Sequence, residues 1–124
     1  MVPMAEVKRT ERGWPGHFIC VSRCRFRRNT LLECGEQRVV VSTVGDMSGI
    51  DGFGEEAIGL DRHYETMAFS AVFEDPYWEA DIGRQVPFDS PSAVRDVDRG
   101  SDLRANEMHE AVVDEISSRL KEQG

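Results

Sequence analysis

The densest run of reactive side chains in the chain is Ser22-Arg23-Cys24-Arg25-Phe26-Arg27-Arg28-Asn29. In an extended strand Arg23, Arg25 and Arg27 share one face while Cys24, Phe26 and Arg28 share the other. Guanidiniums spaced at ~6–7 Å along one face repel one another unless an anion lies across them. Nucleic-acid phosphate, a phosphorylated small molecule, or carboxylates from elsewhere in the chain can meet that need. As an anion-binding site the row would comprise Arg23, Arg25, Arg27 and Arg28. A second constellation is His17, Cys20, Cys24 and Cys34, four nitrogen or sulfur ligands of the kind zinc takes in a tetrahedron. Its spacing lacks the tight C-x2-C knuckle of structural zinc sites, and Cys20 and Cys34 fall inside apolar, strand-like runs. Buried free cysteines acting as small hydrophobes are therefore the better reading, and no metal or cofactor is expected. A third set is Asp61, His63 and Glu65, with Glu79 and Asp81 from a following strand. A hairpin could place those carboxylates opposite His63 and Glu65 for acid-base work, although the same residues also suit the wet face of a half-exposed sheet. Combined with the arginine row, His63, Glu65 and Asp81 make the enzyme or anionic-ligand alternative. No GxSxG, HExxH, Walker or GxGxxG signature is present, so no catalytic residue is assigned.

The elements that must carry these residues can be read from pattern. Residues 1 to 16 are polar and punctuated by Gly13 and Pro15-Gly16, which predicts a flexible lead and a turn. The runs HFICV, TLLEC and RVVVSTV follow, the last two joined across Gly35, and they read as a hairpin. Residues 45 to 59 contain five glycines without a sustained period and read as a mobile loop. HYETMAFSAVF and YWEADI form a second hairpin through Glu74-Asp75-Pro76, where proline suits the corner. Residues 83 to 100 read as a loop with one edge strand at 85 to 88.

From 101 to 122 the apolar positions Ala105, Met108, Val112, Ile116 and Leu120 recur at helical spacing, and His109 falls beside the stripe as a boundary residue. The expected architecture is a single α+β domain spanning residues 1 to 124. It has a β-rich part at 17 to 82, an antiparallel sheet of four or five strands, and an amphipathic C-terminal helix packed on the sheet.

Composition narrows the function classes. The chain has 124 residues, enough for one core without staples, and its three cysteines do not close a disulfide framework. No apolar run is long enough for a membrane span and no signal-peptide core precedes the first strand, so a cytosolic protein is expected. The net charge is −8. It is unevenly distributed: residues 1 to 40 hold eight basic and four acidic side chains, a balance of +4, and the remainder hold seven and nineteen, a balance of −12. That asymmetry serves solubility or presents a polar surface to a partner, and the overall negative charge disfavours direct nucleic-acid binding. Tyr77 and Trp78 at the second hairpin are candidate interface anchors, and Glu107, Glu110, Asp114 and Glu115 on the helix are candidate partner-binding carboxylates.

The strings GWPGHFI, CRFRRNTLL, VVVSTVG and YETMAF, followed by a helix beginning LRANEMHEAVVDE, resemble a family of small uncharacterised bacteriophage and prophage proteins over roughly residues 12 to 122. The resemblance implies an accessory protein acting in the cytoplasm of a bacterial host. Phage accessory proteins of this size often inhibit a host enzyme, anti-CRISPR proteins being the best-known class, and many of those are acidic DNA mimics that occupy a basic channel. The resulting expectation is a protein-binding inhibitor of a nucleic-acid-handling host complex. A homodimer is a further assembly left open.

Overall fold

The computed structural model describes residues 6–14, 16–17, 24–48, 55–56, 63–95 and 100–123. Its elements run β1 (Lys8–Arg12), β2 (Cys24–Cys34), β3 (Gln37–Ser48), β4 (Glu55–Glu56), β5 (Tyr64–Glu74), β6 (Tyr77–Val86), β7 (Ala93–Val94) and α1 (Ser101–Gln123). All ladders are antiparallel, in the order β1-β2-β3-β5-β6, with β4 on β3 and β7 on β5. This is the α+β arrangement expected, with the helix last and packed on the sheet. Among the described residues no helix is long and apolar enough to cross a membrane.

Both hairpins form where the turn residues sit. Gly35 adopts φ of 60°, a left-handed conformation that costs glycine little, between β2 and β3. Asp75-Pro76 is a cis peptide at the β5–β6 corner.

Three element predictions need correction. Residues 8 to 12 are a strand, not a flexible lead: Lys8 through Arg12 pair with Glu33 through Asn29. KRTER carries no apolar alternation because its partners are charges, described below. Residues 45 to 48 continue β3, and residues 55 to 56 pair with its end, so those parts of the expected glycine loop lie in the sheet. Residues 49–54 and 57–62 fall outside the described residues. The edge strand expected at 85 to 88 is instead the end of β6, and the short marginal strand is Ala93–Val94.

The run VVVSTVG is continuously apolar or small because both faces of β3 are covered: Val39 through Gly45 are all buried. Val39 and Val41 face α1 with Leu32, Cys34 and Ala68, against Val112, Val113, Ile116 and Leu120. A second cluster joins Tyr64 and Val94 to Ala105 and Met108. Val40, Ser42 and Val44 face the other way, where Gly16 and His17 lie over them.

The sheet is curled. Laid flat, β1 and β6 would be ~19 Å apart at ~4.8 Å per strand gap, beyond any side chain. Yet Arg12 of β1 donates to the Trp78 carbonyl of β6, and Trp14 stacks 5.1 Å from Tyr77 and donates to Glu79 at 3.1 Å. Twist has brought the two margins together at this end, where side chains and not a ladder close the gap.

Candidate functional site

The polar groups buried on the two faces of the sheet are largely satisfied within the chain. On the helix side His109, expected at a boundary, is fully buried. Apolar counting placed it beside the stripe because a histidine adds nothing to that count. Its Nε2 lies 2.7 Å from Thr30 Oγ1 and its Nδ1 2.7 Å from Thr43 Oγ1, which is 2.6 Å from Thr66 Oγ1. Thr30 also donates to Glu11 at 2.8 Å. An ionised carboxylate only accepts, so the Thr30 proton is committed to Glu11. Thr30 must then accept from Nε2–H, Nδ1 must accept from Thr43, and Thr43 must accept from Thr66. The tautomer is fixed by this count of protons. Burial, with the Arg28 charge adding to it, drops the His109 pKa from 6.5 to about 3, so the ring is neutral at physiological pH.

Around Glu11 lies a small ion cluster. Arg9 reaches Glu11 at 2.6 Å and Glu110 at 2.7 Å, and Arg28 reaches Glu11 at 3.0 Å and Glu110 at 3.9 Å. Burial raises the Glu11 carboxyl, but hydrogen bonds from Arg9, Thr30 and Arg28 outweigh it and hold the pKa below the usual glutamate value. Arg28 is therefore paired within the chain and does not face the same way as the rest of the arginine row. Arg25 and Arg27 are exposed on the opposite face, as strand alternation requires, and Arg23 lies outside the described residues.

On the far side of the sheet His17 Nδ1 is 2.7 Å from Ser42 Oγ, which also accepts from the Gly16 amide at 3.1 Å. His17 Nε2 lies 3.5 Å from Glu65 Oε1. Chemically this is a serine, an imidazole and a carboxylate in sequence, but Ser42 is fully buried and His17 and Glu65 are 8% and 9% exposed. A Cβ on Gly16 would lie 2.6 Å from that of Ser42, so only glycine permits this approach. Sequence reasoning missed the trio because its members come from a turn and two strands, far apart in the chain. The residues it did group are not assembled: Glu65 pairs with Val44 and Ala93, whereas Glu79 pairs with Val72 and Asp81 stands opposite Ser70, five residues along β5 from Glu65. The four-ligand metal alternative also does not form. Cys34 is packed on the helix side with its thiol 3.5 Å from the Leu120 carbonyl, while His17 is on the other face. Cys20 and the Cys24 side chain lie outside what is described, and among the described residues no group of three or more ligands is placed to hold a metal.

The helix carboxylates divide into two kinds. Glu110 is committed to Arg9 and Arg28. Glu115 accepts from the Asp89 and Ser90 amides at 2.7 and 2.8 Å, from the Ser90 hydroxyl at 2.7 Å and from Arg119 at 2.5 Å. These donors, the Asp89 amide first, hold its pKa below the normal value. Glu107 and Asp114 are exposed and stay available to a partner.

Among the described residues, two exposed aromatic rings lie at the end of the β5–β6 hairpin, besides the exposed Ile82 and Leu103. Phe73 and Tyr77 are each 53% exposed and Val72 is 37% exposed. Glu74 and Asp75 flank them in solvent. The rings are held from behind: Phe73 lies 5.2 Å from Trp78, Arg38 stacks 4.2 Å over Trp78, and Arg12 sits 4.9 Å over Trp14, which braces Tyr77. Of the two aromatics expected as anchors, Tyr77 is presented outward and Trp78 is half-buried as its support. No protein-family model, curated protein or solved structure matches this chain.

Proposed function

We propose that the chain is a binding protein of the small phage-accessory type, acting in the bacterial cytoplasm. It would dock the aromatic and acidic end of its β5–β6 hairpin onto a basic groove of a nucleic-acid-handling host complex and inhibit it. The observation that carries the reading is the exposure of Phe73 and Tyr77 at one hairpin end, on its two faces, each braced by a tryptophan, Trp78 for Phe73 and Trp14 for Tyr77, with Glu74 and Asp75 beside them. Braced aromatics lose little side-chain freedom on binding, which favours them as anchors, and the neighbouring carboxylates favour a positively charged partner. The net charge of −8 points the same way. The serine and imidazole groups that could serve catalysis are buried, which gives the binding reading the advantage over the enzymatic one.

The test uses the tagged full chain as bait in a bacterial lysate at low and high salt, alongside a Phe73→Ala/Tyr77→Ala variant and a Glu74→Lys/Asp75→Lys variant. The expected outcome is a nuclease or other nucleic-acid-handling complex that is retained at low salt, released at high salt and lost with either variant. Its activity should fall when the wild-type chain is added. Retention that ignores both variants, or that is equal at both salt concentrations, would overturn the proposal.

A further inference from the structure

A separate cleft of about 410 Å³ opens between the sheet and the last turns of α1. Its origin is a break in the β5–β6 ladder. Ala71 pairs with Ala80 and Phe69 with Gln85, so residues 81–84 stand opposite Ser70 alone. This bulge closes on itself through the Gly83 amide, which donates to Asp81 at 3.1 Å, and Arg84 ends it at the lip of the cleft. Bulges of this kind re-aim side chains and often border binding sites.

The floor is apolar, made by Val39, Ile116 and Leu120 of the core. The rim carries Arg84 of β6 and Arg119 of α1, while Arg38 of β3 lines the cleft from the strand with its guanidinium turned to Glu33 and Trp78 on the other face of the sheet. Two of them are fixed in place. Arg38 donates to Glu33 at 3.1 Å and to the Glu36 carbonyl at 3.3 Å, and Arg119 donates to Pro87 O and Glu115, each at 2.5 Å. Each guanidinium carries five N–H groups, so both keep donors to spare. Glu33 and Glu115 offset part of their charge, and Glu36 adds a carboxylate to the rim. Arg84 is exposed and has no side-chain ion partner among the described residues, so its guanidinium donors are open to a ligand.

From this arrangement we infer that the cleft binds a small amphipathic carboxylic acid. Its hydrocarbon body lies on Val39, Ile116 and Leu120, and its carboxylate is held by Arg84 with Arg119 beside it. An apolar floor with convergent polar groups at its rim is a usual form of a small-ligand site. The arginines that make it come from distant parts of the chain, unlike the row in β2, so no local motif announces them.

Titration of the full chain with octanoate, followed by amide chemical shifts, tests the inference. Saturable shifts are expected at Val39, Ala71, Ile116 and Leu120, with octanol, which has the same chain length without the charge, binding at least fivefold more weakly. Arg84→Glu should weaken octanoate at least fivefold and leave octanol unchanged. Shifts that do not saturate, shifts centred elsewhere, or equal binding of the acid and the alcohol would each overturn the site. None of these outcomes depends on the hairpin proposal, which uses a different surface.

Discussion

At the scale of single residues, neutral His109 makes stability depend on pH with a definite sign. Its folded pKa lies near 3, below the unfolded value of 6.5, so below pH 6.5 the unfolded chain takes up a proton that the folded chain excludes. Stability should therefore fall as pH drops from 6.5 toward 3, by up to ~1.4 kcal/mol per unit. Glu11 and Glu115, whose pKa values are lowered in the fold, steepen the loss further below about 4.5. Thermal melts of His109→Gln should show a flatter limb between pH 6.5 and 4.5 than wild type, because the amide can donate to Thr30 and accept from Thr43 without titrating. An equally steep limb would mean that another group sets the slope. Gly45 is a second such residue. A Cβ there would lie 2.4 Å from the Tyr64 ring and 2.7 Å from the His63 carbonyl. Tyr64 also donates to Asp102 in the first turn of α1. Gly45→Ala should thus lower stability by ~1–3 kcal/mol, as overpacking does, and denaturant unfolding would measure it.

At the scale of elements, α1 holds two things in place: the sheet, through its apolar stripe, and residues 87 to 90, through Glu115 and Arg119. Ile116→Ala should cost ~2–5 kcal/mol, the range for large-to-small changes in a core. Glu115→Ala should instead loosen the segment after β6, seen as faster hydrogen exchange at the Asp89 and Ser90 amides, with the sheet amides unaffected. The helix was legible because Ala105, Met108, Val112, Ile116 and Leu120 repeat at its period, and all five are buried. The two hairpins were legible from their turn residues. β1 was not, because its strand character comes from the ladder with β2 and from Arg9 and Glu11 meeting Arg28 and Glu110, contacts that leave no periodic mark in KRTER. The His17, Ser42 and Glu65 trio was equally hidden, since it exists only once β3 and β5 are adjacent and the 16–17 turn lies over them.

At the scale of the whole molecule, the basic front and acidic remainder are not kept fully apart. Arg9 and Arg28 from the front pair with Glu110 of the helix, so part of the +4 and −12 imbalance is neutralised inside the fold. Charge left for a partner rests with exposed groups such as Glu74, Asp75, Glu107 and Asp114. Glu107→Lys/Asp114→Lys should therefore weaken partner association without changing the melting temperature by more than about a degree, as expected for surface changes. Adding Glu110→Lys should lower the melting temperature as well. The curl of the sheet has one more consequence. An outer strand with bare amides and carbonyls is a template on which other chains can stack into fibrils. Here Arg12 occupies the Trp78 carbonyl, residues 81–84 buckle the rest of that margin, and β1 lines the other with Lys8, Arg9, Glu11 and Arg12. Arg12→Ala would expose the start of β6, and the variant should form thioflavin-positive aggregates at concentrations where the wild-type chain stays clear.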